Sequence, residues 1–400
     1  MAKSKLSSKQ LAILLMFAYL ISYLTRINFG GVILEMATAT GFSKTELSAA
    51  VTGSFITYGI GQIISGWFGD KFQPKNLVLA GFITTSAMNF LIPFCPSPVF
   101  MTAVWCINGM AQAFMWPPMV RLMVNLLTPE EYVDATVTVS YGGAAGTMAV
   151  YIITPLIISV CSWKFVFVFC AMCGFITSVI WYKLCPEIEV IKLRKKQTSK
   201  GITKIIFSPL MIAIMIGIIC QGSLRDGITT WMPTYISETY NLSNSISILT
   251  GVILPFFTMV CIKLTAHIYT HRFNNTLTCA GIIFFAGAVS SLLLLISTGK
   301  NAMCSVFLSA LLTGCMHGVN YLFIQIVPSY FKSTGFVSLI SGILNACTYI
   351  GSAVSTYGIA LLTETLGWKP TIGVWTGVAV VGTVLSLIFA PVFKAKYLKD

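Results

Sequence analysis

Charge is what this chain has least of. Its 400 residues include 12 acidic residues, 25 basic residues and three histidines, so only 9% are charged. A soluble domain carries about a quarter, and a chain that is 56% hydrophobic cannot be kept in water by so thin a charged shell. Its natural solvent is a lipid bilayer. No GxxxxGK[ST] phosphate-binding loop occurs and no connection is long enough to hold a nucleotide-binding domain, which excludes ATP coupling within the chain. Paired carboxylates, a nucleophile beside its base and a metal cluster are all missing as recognisable spacings, so the chain does not read as an enzyme. Twelve cysteines are present, but the one CxxC, Cys170 to Cys173, lies inside an apolar run with no second pair. They read as small apolar groups rather than a zinc or redox centre, and no cofactor is implied. The net charge of +13 does not point to nucleic acid, because the basic residues are not interleaved with aromatics that stack on bases.

What is present is a series of long apolar runs. A spanning helix needs about 20 mainly apolar residues, and twelve such runs occur, at 11–35, 46–68, 77–95, 99–127, 133–159, 163–184, 209–236, 246–266, 277–298, 303–328, 335–362 and 370–393. The start, MAKSKLSSKQLAILLMF, resembles a signal peptide. Its apolar run continues too far and lacks a small-residue cleavage site, so it is read as an uncleaved first helix. An even number of spans places both termini on one side of the membrane. With that side cytoplasmic, the inner segments carry 18 basic residues and the outer ones only Lys44, Lys164, Lys300 and Lys369. The positive-inside rule therefore predicts cytoplasmic termini.

The longest connection, PEIEVIKLRKKQTSKGITK, follows the sixth run and divides the chain into a six-helix bundle over 1–185, a linker over 186–206 and a second bundle over 207–400. Landmarks recur about 200 residues apart, as in internally repeated transporters. Arg26 answers to Arg225, GFSKTELSA to NLSNSISIL, and CSWKFVFVF to LGWKPTIGV. The strings GGVIL, GIGQIISG and GGAAG place small residues on helix faces and read as packing seams.

Three arginines lie within spans. An ionised group at the bilayer centre costs roughly 2.5–3.5 kcal/mol on insertion scales, so each needs a reason. Arg26 is about 22 Å of helical rise past Leu11 in a core about 30 Å thick. Arg225 lies at a matching depth on the matching helix. Two matched arginines on matched helices point to one anion shared between the bundles. Arg121, near the end of the fourth span and close in sequence to EEYVD, reads as one half of a structural ion pair with the loop containing Asp70. Asp226 is the one mid-span acid. It points about 100° from Arg225 and is expected to position it, neutralise it or carry a proton. His317, in the tenth span, reads as structural.

These residues resemble a known family. GWFGDKFQPK, with Asp70, resembles the G-x-x-x-D-[RK]-x-G loop of the major facilitator superfamily, although Gln73 stands where the pattern has glycine. The corresponding LTAHIYTHRF lacks the aspartate, so the latch this loop implies is asymmetric. YLTRINF, YGIGQIISGWFGD, GMAQAFMWPPMVRLM and SLRDGITTWMPTYISE resemble the organophosphate:phosphate antiporters over nearly the whole chain. The resemblance implies an all-α membrane protein of twelve helices in two six-helix bundles, acting as a monomer. It implies that Arg26 and Arg225 grip phosphate, that Tyr23, Tyr58 and Trp116 line the cavity, and that Asp70 and Arg121 belong to a conformational latch. Departures accompany it. Gln62 replaces a lysine, Tyr141 a histidine, Val137 a tryptophan and Gly222 a tyrosine, while Asp226 follows the second arginine. If Asp226 is ionised, the two arginines and it leave a cavity charge of +1, which suits a monoanion better than a phosphate dianion.

The expected function is transport of a small phosphorylated metabolite in exchange for inorganic phosphate by alternating access. In this mechanism an entering anion bridges two mutually repelling arginines. Selectivity would rest on uncharged groups, among them Gln62, Tyr141 and Asn345. Two other functions remain open: proton-driven symport of a carboxylate such as a sugar acid, with Asp226 carrying the proton, and sensing of a sugar phosphate without flux. The bilayer is the expected surrounding, and short loops suit a bacterial inner membrane.

Overall fold

The computed structural model describes residues 6–188, 199–242 and 253–398. The central part of the expected linker, the echo NLSNSISIL after its first two residues, and the start of the expected eighth span lie outside them. Every regular element described is helical. Among the described residues, twelve helical segments are long and apolar enough to cross a membrane. Side chains such as Val160, Ile152 and Ile388 stand exposed along them, as apolar groups do when lipid is the solvent.

Local chemistry sets the boundaries. α1 (Ser8–Thr40) opens with a capping box in which Ser7 and Gln10 satisfy each other's backbone N–H groups, and it ends at Gly41 in the left-handed conformation, φ 75°. α2 (Lys44–Lys71) is capped two residues later by the same device, Ser43 and Glu46. The string GFSKTE thus encodes a stop and a start in six residues. α3 (Pro74–Leu91) follows with proline in its first turn, where the missing N–H is harmless.

The fourth expected span proves to be two helices, α4 (Pro98–Ala113) and α5 (Trp116–Leu126), separated at Phe114–Met115. Pro117 and Pro118 cause the break: neither can donate to the preceding turn, and their rings crowd its carbonyls. α6 (Pro129–Val160) and α7 (Lys164–Leu184) complete the first six spans. After α8 (Ser199–Ile206) come α9 (Pro209–Tyr240), α10 (Ile253–His271), α11 (Thr276–Ser297) and α12 (Ala302–Asn320). The tenth span also departs from a plain helix. Past Asn320 it widens to a π-helical turn over Tyr321–Ile326 and tightens to 3-10 geometry over Val327–Thr334. α13 (Val337–Leu366) and α14 (Trp368–Tyr397) close the chain.

Packing divides the chain into two compact units. The first holds residues 1–194 together with Phe331–Ala346, which includes the first ten residues of α13. The second holds 195–330 and 347–400. In the first unit α6 lies directly on α1. A Cβ at Gly142 or Gly146 would collide with the carbonyl oxygens of Met16 and Leu20, so GGAAG is the packing seam its small residues suggest. Behind α1 runs a buried polar network. Gln112 accepts from Ser22 and donates to Thr25 and Thr85, each at 2.8 Å, and Asn28 donates to Asn89 at 2.8 Å. It ties α1, α3 and α4 together and fixes the rotation of α1, hence the direction in which Tyr23 and Arg26 project.

Candidate functional site

Arg26 sits on the face of α1 away from that network, half-buried rather than turned to lipid. Its guanidinium carbon lies 4.2 Å from the centroid of the Tyr23 ring and 4.9 Å from that of Tyr58. Both are within cation–π range, so the electron-rich ring faces replace part of the lost hydration. Tyr23 comes from one turn earlier on α1 and Tyr58 from α2. The cage has a second layer. Tyr19 stands edge-on to Tyr23 with centroids 5.0 Å apart, and its other side meets Trp116 of α5, also at 5.0 Å. Gly143 of α6 leaves room for both tyrosines: a Cβ there would lie 3.1 Å from each ring.

The expected residues are therefore partly gathered. Arg26, Tyr23 and Tyr58 form one cluster, and Trp116 joins it through Tyr19. Tyr141, half-buried on α6, is not one of the rings against Arg26. Gln62, one turn beyond Tyr58 on α2, is fully buried with neither amide atom hydrogen-bonded, and the Trp116 indole N–H is likewise buried without a partner. Tyr19 is the residue that sequence reading misses. Its signal was available: residues 19, 23 and 26 follow the i, i+4, i+7 spacing that aligns side chains on one helical face.

In the second unit, Asp226 folds back onto Arg225 despite the 100° between them. Arg225 Nε donates to one carboxylate oxygen at 2.6 Å and Nη2 to the other at 2.7 Å. This is the two-pronged geometry of a strong ion pair. Ser352, from α13, donates its hydroxyl to the same carboxylate. His317 on α12 lies within electrostatic range of the pair. The side chains of Arg225 and Asp226 retain 15% and 31% of their exposure, so the pair is enclosed but not sealed.

A third cluster surrounds Asp70 at the end of α2. Its two carboxylate oxygens accept the backbone N–H groups of Ser338 and Leu339, each at 2.8 Å. These are donors of the first turn of α13, which the helix itself leaves unsatisfied. The Ser338 hydroxyl donates to the Pro117 carbonyl at 2.9 Å. Arg121 departs from the ion pair expected of it. Among the described residues it makes no ion pair at salt-bridge distance, although it lies within electrostatic range of Asp70, and it donates to the carbonyl oxygens of Gly69 and Phe72. A helix end with unpaired carbonyls is a partly negative site, so the arginine caps α2 while Asp70 caps α13.

Comparison with known proteins agrees with this architecture. A model of the family described as "Major Facilitator Superfamily" matches residues 15–356. A "Probable hexose phosphate transport protein" of Chlamydia muridarum is 26% identical over 164 residues, covering 40% of this chain and 36% of that protein. A "Glycerol-3-phosphate transporter" of Bacillus subtilis is 26% identical over 300 residues, covering 68% and 67%. A "Probable anion transporter 7" of Oryza sativa subsp. japonica is 23% identical over 412 residues, covering 92% and 93%. Among solved structures, a proton:xylose symporter, XylE, superposes with TM-score 0.72 at 12% identity over 97% of this chain and 95% of its own. That match speaks to fold. These relatives are transporters and not enzymes, of the type that includes the organophosphate antiporters. With twelve helical segments among its described residues long and apolar enough to cross a membrane, and a family model matched over most of its length, the chain belongs to the major facilitator superfamily.

Proposed function

We propose that this protein carries a small organic anion, most specifically a phosphorylated metabolite, across the membrane in exchange for inorganic phosphate. Arg26 and Arg225 take the anion's charge, and Tyr23, Tyr58, Gln62, Trp116 and Tyr141 recognise its uncharged part. The observation that carries this reading is the Arg26 cage. A cation within a span that rests on two tyrosine faces, joined through Tyr19 to Trp116, whose indole N–H is buried without a hydrogen-bond partner, supports an anion-binding role. The likeness to a hexose phosphate transport protein and to a glycerol-3-phosphate transporter supports this substrate class. Asp70 and Arg121 serve as the latch that stabilises one conformation by capping α13 and α2.

The experiment is counterflow in proteoliposomes made with the whole protein. Phosphate-loaded vesicles should take up labelled hexose phosphate or glycerol phosphate at a rate at least tenfold above phosphate-free vesicles. Uptake into phosphate-free vesicles driven by an imposed pH gradient would instead assign proton symport. Saturable binding without flux would assign sensing.

Both termini on the cytoplasmic side, in a bacterial inner membrane, complete the proposal, and thiol labelling tests the orientation. Cys161 and Cys304 are exposed at the end that this orientation places outside. A membrane-impermeant maleimide added to intact cells should label both, and failure to reach either would reverse the assignment. Cys185, in the connection after α7, provides the pH-dependent part. Burial pushes its thiol up to about 12, with nearby Glu187 adding to the rise and Lys75 opposing it. The thiolate is the reactive form, so at pH 7 it amounts to about one part in 10⁵. In opened membranes, labelling of Cys185 should stay negligible at pH 7 and rise about tenfold per pH unit. Rapid labelling of Cys185 at pH 7 would contradict its burial.

A further inference from the structure

We infer that His267 and His271 form a two-histidine site for a divalent transition-metal ion of the nickel, copper or zinc class. The site lies at the C-terminal end of α10, wholly within the second unit, and stands whether or not the protein carries an anion. LTAHIYTHRF, the stretch that corresponds to the Asp70 loop and lacks its acid, contains the spacing H-x-x-x-H. Four residues bring a helical side chain back to nearly the same face. α10 is helical through His271, so the two imidazoles meet. Their rings stack with centroids 4.3 Å apart and 27° between planes, and both side chains are exposed.

The hydrogen bonds leave His271 poised as a ligand. Its Nδ1 lies 3.1 Å from the His267 carbonyl oxygen and 2.7 Å from the Thr270 hydroxyl. A carbonyl only accepts, and the Thr270 hydroxyl directs its own proton to the Ala266 carbonyl at 2.9 Å. Nδ1 is therefore the protonated nitrogen, and Nε2 keeps its lone pair. Metal-binding histidines are commonly held this way, the second nitrogen donating to a carbonyl that fixes tautomer and ring orientation. Metal–nitrogen bonds of about 2.0–2.1 Å set the two donor atoms roughly 3 Å apart. Rings at the protein surface reach that separation by tilting toward each other.

Ligand type decides the metal. Paired imidazoles suit nickel, copper and zinc, whereas magnesium and calcium prefer oxygen. Among the described residues no third histidine, cysteine or acid joins the pair in a group that could hold a metal, so water fills the remaining positions. The partly negative end of α10 favours a cation. Lys263, one turn before His267, and Arg272, beside His271, oppose it, but both are exposed and screened by salt. A single histidine is enough to complement a helix end. The second, stacked one turn away, adds what chelation requires.

The test is calorimetric titration of the full-length protein with Ni²⁺, after purification without a polyhistidine tag and with accessible thiols blocked by N-ethylmaleimide. It is run at pH 8, because the metal takes only a deprotonated ring. Wild-type protein should bind a single Ni²⁺, and excess Mg²⁺ should not displace it. His267→Ala should weaken binding roughly tenfold or more. The double variant His271→Ala/Arg272→His keeps the number of histidines at three but sets the pair about 140° out of line. It should weaken binding as much, although it removes an opposing charge. Binding by wild-type protein no tighter than by these variants overturns the site, and so does displacement by Mg²⁺. A second measurement needs no variant. Ni²⁺ should slow diethyl pyrocarbonate modification of His267 and His271 together, and not of His317, read by peptide mass spectrometry. Modification of the pair at a rate indifferent to nickel overturns the site as well.

Discussion

Arg26→Lys should lose at least nine-tenths of anion transport while the protein inserts and folds as before. Both side chains are cations, so a site that needs only a positive charge would barely notice the exchange. The geometry says otherwise. The Arg26 guanidinium is a flat plate lying 4.2 and 4.9 Å from two tyrosine centroids. A plate can rest on ring faces and still present several N–H groups at its edge. A lysine ammonium is a compact, strongly hydrated point with no edge to offer, and it loses the paired hydrogen bonds that an oxyanion accepts from arginine. Hydrogen bonds to charged groups contribute about 1.5–3 kcal/mol each. One lost bond thus corresponds to roughly a tenfold to hundredfold loss of affinity. The measurement is counterflow by equal amounts of purified wild-type and variant protein, with thermal unfolding as the control for folding. Transport by Arg26→Lys at the wild-type rate would show that Arg26 is a structural arginine.

How much of this was legible beforehand depends on the range of the interaction. Span number and type follow from apolar run length, which is a local property, and among the described residues the twelve span-length helical segments overlap those runs. Stops and starts written in a few residues, such as Gly41 with Ser43 and Glu46, were also legible. Pro117 and Pro118 were visible too, but the apolar run continues through them. Reading hydropathy alone therefore merged α4 and α5. The π-helical turn at Tyr321–Ile326 has no comparable signal, because YLFIQI is as good an α-helical string as any around it. In the candidate site, charge identified Arg26, Arg225 and Asp226, since a charged residue in an apolar run stands out without any partner, whereas Asp70 was identified by the resemblance of its loop to a family pattern. Tyr19, Ser352 and Ser338 did not stand out. An aromatic or a serine in a spanning helix is commonplace, and what distinguishes these three is the neighbour each meets from a distant part of the chain. The same limit explains Arg121. The Asp70 loop and a nearby acidic segment suggested an ion pair; Asp70 is within electrostatic range, but the hydrogen-bond partners are backbone carbonyls, which a sequence does not display.

Gly342→Ala should reduce transport at least tenfold by forcing open the seam between α2 and the start of α13. Three residues of α2 at helical spacing, Gln62, Gly66 and Gly69, lie against Ser338 and Gly342 of α13. A Cβ at Gly342 would collide with the backbone carbonyl of Gln62, and one at Gly66 would come within 2.6 Å of the Ser338 carbonyl oxygen. Both obstacles are main chain, so no rotamer change relieves them and the helices themselves must separate. Separation would pull the first turn of α13 from Asp70, whose two 2.8 Å hydrogen bonds require the helices in register. Yet the seam also contains a counterweight. On the two helices that form the seam, the hydroxyls of Ser65 and Ser341 are buried without hydrogen-bond partners. Each unsatisfied polar group costs about 1–3 kcal/mol, and hydration in an opened seam would remove that cost. The closed arrangement is therefore held by Asp70 and glycine packing against polar groups that favour opening, a balance suited to an element that alternates between two states. A cysteine placed at Ser65 in a cysteine-depleted background reports on it. That thiol should resist maleimide in the parent protein and react at least tenfold faster once Gly342→Ala is added. Gly30→Ala provides the control, because no atom outside its own helix lies within 4 Å of the added methyl, and it should change neither labelling nor flux. Unchanged labelling and full transport in Gly342→Ala would mean that the seam is not a moving part.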